Sequence, residues 1–352
     1  MAKDARSNLI DLIQKNGPIS IADYLSYCLN DPAYGYYTNR NPLGRDGDFV
    51  TSPEISQIFG ELLGLWILDK WLAMRTPKPI ALIELGPGRG ILMQDVLRSC
   101  ELRPGFIQHV TIHLLEINKV LIKEQTKSLK GYPVVWHKTI EDLLDATKGH
   151  VSFFVANEFF DALPSHQYVC KNKTWYERLI DYKEADDTFV YTRSLIPQIP
   201  PTHYPLGHDG AIIETSPEMT ALFRQITQHI DQNRGGLLLV DYGYNEFSFG
   251  DTLQAVQGHD FVDVFADIGN MDLTTHVNYA PFMDVLQDFP RLQHTYSTQR
   301  EFLIACGIYL RAHHLASNQP EEIQKQILLS VTRLISPEEM GDLFKVLAVI
   351  AI

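Results

Sequence analysis

Apolar residues recur along the 352-residue chain in two rhythms. Short, nearly unbroken apolar runs stand in "PIALIEL", "VTIHLLEIN", "PVVWH", "VSFFVAN", "GGLLLVDYG" and "DLFKVLAVI". Between them, apolar positions fall three and four residues apart, the spacing of amphipathic helices. Such helices are predicted at 5–15, where Leu9, Leu12 and Ile13 share a face, and at about 20–30, 55–70, 119–128, 217–231, 299–306 and 321–333. Ser20 and Asp23 have the spacing of an acidic capping box. Ser52 can cap a helix that Pro53 opens.

Residues 167–196 alternate loosely and suggest antiparallel strands turning at "CKNKTW". "HTYSTQREFLIACG" reads as a strand followed by a helix. Unbroken apolar strands separated by helices predict an α/β fold, with a mostly parallel sheet covered on both faces. Two stretches interrupt the repeat. "NDPAYGYYTNRNPLGRDGDFVTSPEIS" is too rich in Gly, Pro and Asn for a regular element and too long for a plain connector, so it reads as a functional loop. The other, 243–282, is long, polar and aromatic.

Composition narrows the picture slightly. The formal net charge of −13 disfavours duplex nucleic acid, which needs a basic surface. Cys28, Cys100, Cys170 and Cys306 are far apart, with no C-x-x-C, which suits a reducing compartment. No run of about 18 uncharged apolar residues exists to span a membrane. The first residues, "MAKDARSNLIDLIQKNG", resemble neither a signal nor a transit peptide, so a cytoplasmic location is expected. A homodimer is left open.

The chemistry concentrates at "ELGPGRG". Gly86, Gly88 and Gly90 follow an apolar strand, but the third glycine comes one residue early for a dinucleotide fingerprint, and no Walker lysine follows. What remains is a sharp turn on which a ligand can lie against bare backbone. Glu84 sits inside the apolar strand, where an unpaired carboxylate is costly. Glu116 closes the next strand, where an acid can take both hydroxyls of a ribose. Each acid alone reads more simply as an ordinary loop or strand-end residue, but the two together at adjacent strand ends favour a nucleoside site.

"ELGPGRG" followed by a second-strand acid resembles a class I S-adenosylmethionine-dependent methyltransferase. With "DPAYGYYTNRNPLGRDGDFVTSPEISQIFGELLG", "ANEFFDALP", "DYGY" and "MGDLFKVLAV", nearly the whole chain is similar to the MidA family. The resemblance implies a seven-stranded methyltransferase sheet with inserted segments, and S-adenosyl-L-methionine as donor. The family's mitochondrial member methylates protein arginine and assists respiratory complex I assembly, so a protein substrate with an accessible arginine is implied. A small-molecule methyltransferase and a non-catalytic donor-binding assembly factor remain as rivals. The expected layout is an N-terminal helical region with a cofactor-covering loop over 1–75, and a methyltransferase domain over 76–352 with insertions around 165–210 and 243–295.

Arginine stays protonated in water, so its methylation calls for carboxylates that draw charge away from the attacking nitrogen. "NEFFD" offers Asn157, Glu158 and Asp161 as catalytic candidates, with Phe159 able to wall a planar cation. In isolation the same five residues read as a capped loop with two core phenylalanines. The resemblance marks Thr51 and Ser52 as donor-site candidates beside Glu84, Gly86, Gly88, Gly90 and Glu116. Glu54, Tyr242 and Tyr244 join Phe159 as candidates for the substrate side. Asp241 either orients a guanidinium or caps the turn.

Overall fold

The computed structural model describes residues 4–39, 51–198, 200 and 207–351. Asp46, Gly47, Asp48 and Phe49 of the early loop, and His203, lie outside the described residues.

The apolar runs become one central sheet. Its strands lie in the order Gln293–Thr298, Phe344–Ala351, Gly235–Tyr244, Val151–Asn157, Ile80–Leu85, Val110–Leu115, Val134–His137. The last five of these run parallel, and every residue of Ile80–Leu85 and Val151–Asn157 is buried. That double burial is why these strands carry unbroken apolar runs instead of an alternating pattern. Phe344–Ala351 is antiparallel to both of its neighbours. A two-residue strand, Val277–Asn278, pairs beside Gly243 and Tyr244.

Two apolar layers cover the sheet. On one face pack Gln57–Ala73, Ile91–Cys100, Ile308–Ala316 and Glu321–Ile335, through residues such as Phe59, Leu63, Val96, Ile308 and Leu334. Gly60 and Gly64 allow the first two helices to touch, since a Cβ at Gly64 would stand 2.5 Å from the Val96 carbonyl oxygen. Ile140–Ala146, Pro217–Asn233 and Ala280–Gln287 cover the other face around Leu143, Phe223 and Phe282. A third core joins the N-terminal helices Ala5–Asn16 and Ile21–Asn30 to two smaller sheets. One of these contains His166–Lys171, Thr174–Lys183, Thr188–Arg193, Ile212–Thr215 and the short Ile19–Ser20. The other is Gln254–Gln257, Asp260–Val262 and Asp272–Thr274.

The capping box at Ser20 and Asp23 is present. The stretch 243–282, which carries no readable period, holds the second small sheet, whose strands of three or four residues are too short to display one. Ile308–Ala316 is a helix beyond those the spacing predicted. No helix among the described residues is long and apolar enough to cross a membrane.

Candidate functional site

Chain order reverses across the sheet between Ile80–Leu85 and Val151–Asn157, because Val110–Leu115 and Val134–His137 are laid down on one side before Val151–Asn157 pairs on the other. A crevice at the carboxyl ends of such strands is where open α/β sheets hold ligands. A cavity of about 320 Å³ opens there, and the glycine turn forms one wall.

Gly86, Gly88 and Gly90 all take positive φ, at 62°, 52° and 78°. Gly86 is constrained twice, since a Cβ there would also stand 2.6 Å from the Phe159 ring. The turn brings bare backbone to the cavity and delivers the chain into helix Ile91–Cys100. Glu84, just before the turn, is buried and lines the cavity, and its Oε2 has no hydrogen-bond partner. Burial first, and then the nearby Glu116, pushes its carboxyl up to about 8. Glu116 is held differently. Its Oε1 accepts from the Asn118 backbone N–H at 2.7 Å, and its Oε2 accepts from the Gln125 amide at 3.0 Å. Burial raises its pKa against these bonds.

The adjoining wall is the "NEFFD" turn, which follows the neighbouring strand. Glu158 takes φ of 49°, a left-handed conformation unusual for a side chain of its size. Its Oε1 accepts from the Asn157 amide and from the Ser52 backbone N–H, both at 3.1 Å. Burial, helped by Asp161 and Glu54, pushes its carboxyl up to about 7. Asp161 is raised to about 6 by burial, opposed by a hydrogen bond from the Tyr242 hydroxyl. Asp161 Oδ1 and Asn157 Oδ1 are buried without partners. Asp241 underlies the turn: its Oδ2 accepts from the backbone N–H groups of Phe160 and Asp161 at 3.0 and 3.2 Å. It therefore caps the turn and does not line the cavity.

The structure gathers most of the sequence candidates around one space. Glu84, Gly86, Gly88, Glu116, Thr51, Glu54, Asn157, Glu158, Phe159, Asp161 and Tyr242 all line the cavity. Gly90 caps the following helix from just behind the turn. Ser52 is fully buried and reaches the site through its backbone N–H, while its hydroxyl has no partner. Tyr244 stays off the lining, its backbone paired with Asn278 and its carbonyl taking the Tyr279 N–H.

Other neighbours complete the lining, through pairings that the sequence does not display. Tyr37 lines the cavity and donates its hydroxyl to Asp272 Oδ1 at 2.8 Å. Asn118 holds the Tyr37 carbonyl at 2.8 Å and caps helix Lys119–Ser128. Arg89 meets Glu54 at 3.5 Å and is half exposed. Nothing local in the sequence pairs these residues, which come from five separate segments. The lining thus holds Glu54, Glu84, Glu116, Glu158, Asp161 and Asp272 against Arg89 and Lys138. So many carboxylates in one half-enclosed space favour cationic ligands. The unpartnered Glu84 oxygen, the bare turn and the restrained Glu116 carboxylate fit a donor bearing an ammonium group and a ribose.

The model of a family of S-adenosyl-L-methionine-dependent methyltransferases matches residues 62–293. The protein arginine methyltransferase NDUFAF7, mitochondrial, of Danio rerio is 33% identical, over 99% of this chain and 87% of that protein. Its Homo sapiens counterpart is 32% identical, over 97% and 82%. A crystal structure from Burkholderia thailandensis, bound to S-adenosyl-homocysteine, superposes with a TM-score of 0.82 at 23% identity, covering 98% of this chain and 91% of that one. This last likeness establishes the class I methyltransferase architecture. The expected cytoplasmic location does not stand, since the relatives from fish, human and fly are mitochondrial proteins. Cysteine usage does not decide the matter either, since four free cysteines, three of them buried, do not distinguish one reducing compartment from another.

Proposed function

Because the chain belongs to the S-adenosyl-L-methionine-dependent methyltransferase family that includes the mitochondrial NDUFAF7 proteins, we propose that it methylates arginine side chains of a protein, a respiratory complex I type subunit or a similar one. The methyltransferase activity and its donor follow from the family. The acceptor is the proposal, and the observation that carries it is the crowding of Glu158 and Asp161, in the Asp241-capped turn, on the cavity wall beside the glycines. The relatives' names point the same way, as does the resemblance to a family whose mitochondrial member assists complex I assembly.

When bound, the donor supplies a methyl group carried on a sulfonium. In this reading Glu116 receives the ribose hydroxyls, Glu84 the ammonium, and Gly86, Gly88 and Gly90 leave room for the nucleoside. Thr51 and the backbone of Ser52 close the site from the N-terminal region. Glu158 pairs with the acceptor guanidinium, its orientation set by Asn157 and the Ser52 N–H. Such a pair concentrates the cation's charge on the nitrogens it holds and leaves the remaining nitrogen more nucleophilic. Asp161 takes the proton that this nitrogen loses. Its unpartnered Oδ1 is the available atom, and a carboxyl near 6 suits proton transfer close to neutral pH. Phe159, Tyr242 and Glu54 shape the entrance for the side chain.

The test is to incubate the protein with methyl-labelled S-adenosyl-L-methionine and a protein extract, hydrolyse the labelled protein, and identify the modified amino acid. Methylarginine is the expected product. Label confined to lysine, to protein carboxyls or to small molecules would defeat the arginine assignment while leaving the methyltransferase activity intact.

A further inference from the structure

Gln125 does not line the cavity, yet it is fully buried on helix Lys119–Ser128, directly behind the donor-site wall. Its side-chain amide uses all of its main hydrogen-bonding directions. Nε2 donates to the Gly88 carbonyl at 2.7 Å and to Glu116 Oε2 at 3.0 Å. Oε1 accepts from the Trp136 indole N–H at 2.8 Å. Three consecutive parts of the sheet edge therefore meet at one amide: the glycine turn after the first parallel strand, the acid after the second, and an indole on the third.

The amide can sit only one way. Rotated by half a turn, it would set its oxygen against a carboxylate and a carbonyl, and its NH₂ against another N–H. Helix Lys119–Ser128 also packs its backbone against the turn, since a Cβ at Gly90 would lie 3.4 Å from Gln125 Cα.

We propose that Gln125 is a positioning residue of the donor site, whose amide locks the Glu116 carboxylate and the Gly88 peptide into one frame. It acts through Glu116 and touches no donor atom. With one oxygen tied to Asn118 and the other to Gln125, the carboxylate has a single orientation, and its remaining lone pairs are left for a ligand. The proposal rests on the reading that Glu116 receives the donor's ribose and is independent of which acceptor is methylated.

The experiment is calorimetric titration of S-adenosyl-L-methionine into the full chain and two variants at pH 8 and pH 6, with thermal unfolding of each. Gln125→Glu keeps the shape and still accepts from Trp136, but it sets a charge against Glu116. At pH 8 it should bind the donor roughly 30-fold more weakly than the parent, the scale of losing buried hydrogen bonds to a like charge. At pH 6 the introduced carboxyl is protonated and regains one donor, so the deficit should close to about 3-fold. Gln125→Met cannot donate at either pH and should be about 10-fold weaker at both.

A Gln125→Glu deficit that does not change with pH would overturn the proposal. So would a Gln125→Met variant that melts lower yet binds the donor like the parent, because Gln125 would then serve stability alone. Should Gln125→Glu fail to fold, Trp136→Phe releases one end of the bracket. A loss of about 3-fold in donor affinity is then expected, and unchanged affinity would overturn the idea.

Discussion

Ser52 and Glu158 stand 106 positions apart, yet the backbone N–H of Ser52 donates to Oε1 of Glu158 at 3.1 Å. This bond ties the N-terminal part of the site to the end of the strand Val151–Asn157. It also stabilises the ionised carboxylate, partly offsetting the burial that raises Glu158 to about 7. Ser52 opens the short helix Ser52–Ile55, where proline is tolerated and no helical bond needs the N–H. Ser52→Pro should therefore remove one hydrogen bond and little else. Losing a bond to the charged form raises the pKa. If ionised Glu158 is required, the acid limb of the pH profile for methyl transfer should move up by roughly half a pH unit or more. An unmoved limb would show that Glu158 ionisation does not control the rate.

Gly86 combines positive φ with a ring pressed against its missing Cβ. Gly86→Ala should cost about 1–3 kcal/mol, from left-handed strain plus the clash with Phe159. Phe159→Leu removes the ring but not the strain. In the double variant the cost of the alanine should fall by about 1 kcal/mol. Denaturant unfolding of the four proteins measures this coupling, and strict additivity would mean that the turn relaxes away from the ring.

Glu84 offers a stability test of its own. Its folded carboxyl is raised from 4.5 to about 8, so between these values the folded chain holds a proton that the unfolded chain has released. Stability must then fall as pH rises through this window and level off above it. Glu84→Gln removes that dependence. Without donor, it should match the parent near pH 5 and exceed it by about 2–4 kcal/mol above pH 8. Urea unfolding across pH checks the sign, and a variant less stable than the parent at high pH would contradict the burial argument.

The legible parts of this site were those written locally. Glu84, the three glycines and "NEFFD" each adjoin an apolar strand, so a continuous stretch places them at the sheet's carboxyl edge. Gln125 was hidden because it lies on a mostly polar helix, where a glutamine looks like a solvated face, and its partners Gly88, Glu116 and Trp136 belong to other elements. The pairing of Tyr37 with Asp272 was hidden for the same reason, the two being 235 positions apart. Tyr244 shows the converse. It shares a motif with Tyr242, but alternation along a strand sends neighbours two apart to one face only while pairing is regular. Here the strand end pairs with Val277–Asn278, and Tyr244 stays off the lining.

The central claim divides the acids between two ligands, with Glu116 for the donor and Glu158 for the guanidinium. It is tested most directly by measuring donor affinity beside single-turnover methylation of an arginine-containing protein acceptor, for the parent, Glu158→Gln and Glu116→Ala. Glu158→Gln keeps the size and some hydrogen bonding while removing the charge. It should bind S-adenosyl-L-methionine within about 3-fold of the parent and transfer methyl about 100-fold more slowly or worse, the scale of losing a transition-state electrostatic contact. Glu116→Ala should lose donor affinity first, by about 10-fold or more, and recover much of its rate at saturating donor. A Glu158→Gln variant that methylates at the parental rate but binds the donor poorly would place Glu158 in the donor site and contradict the division.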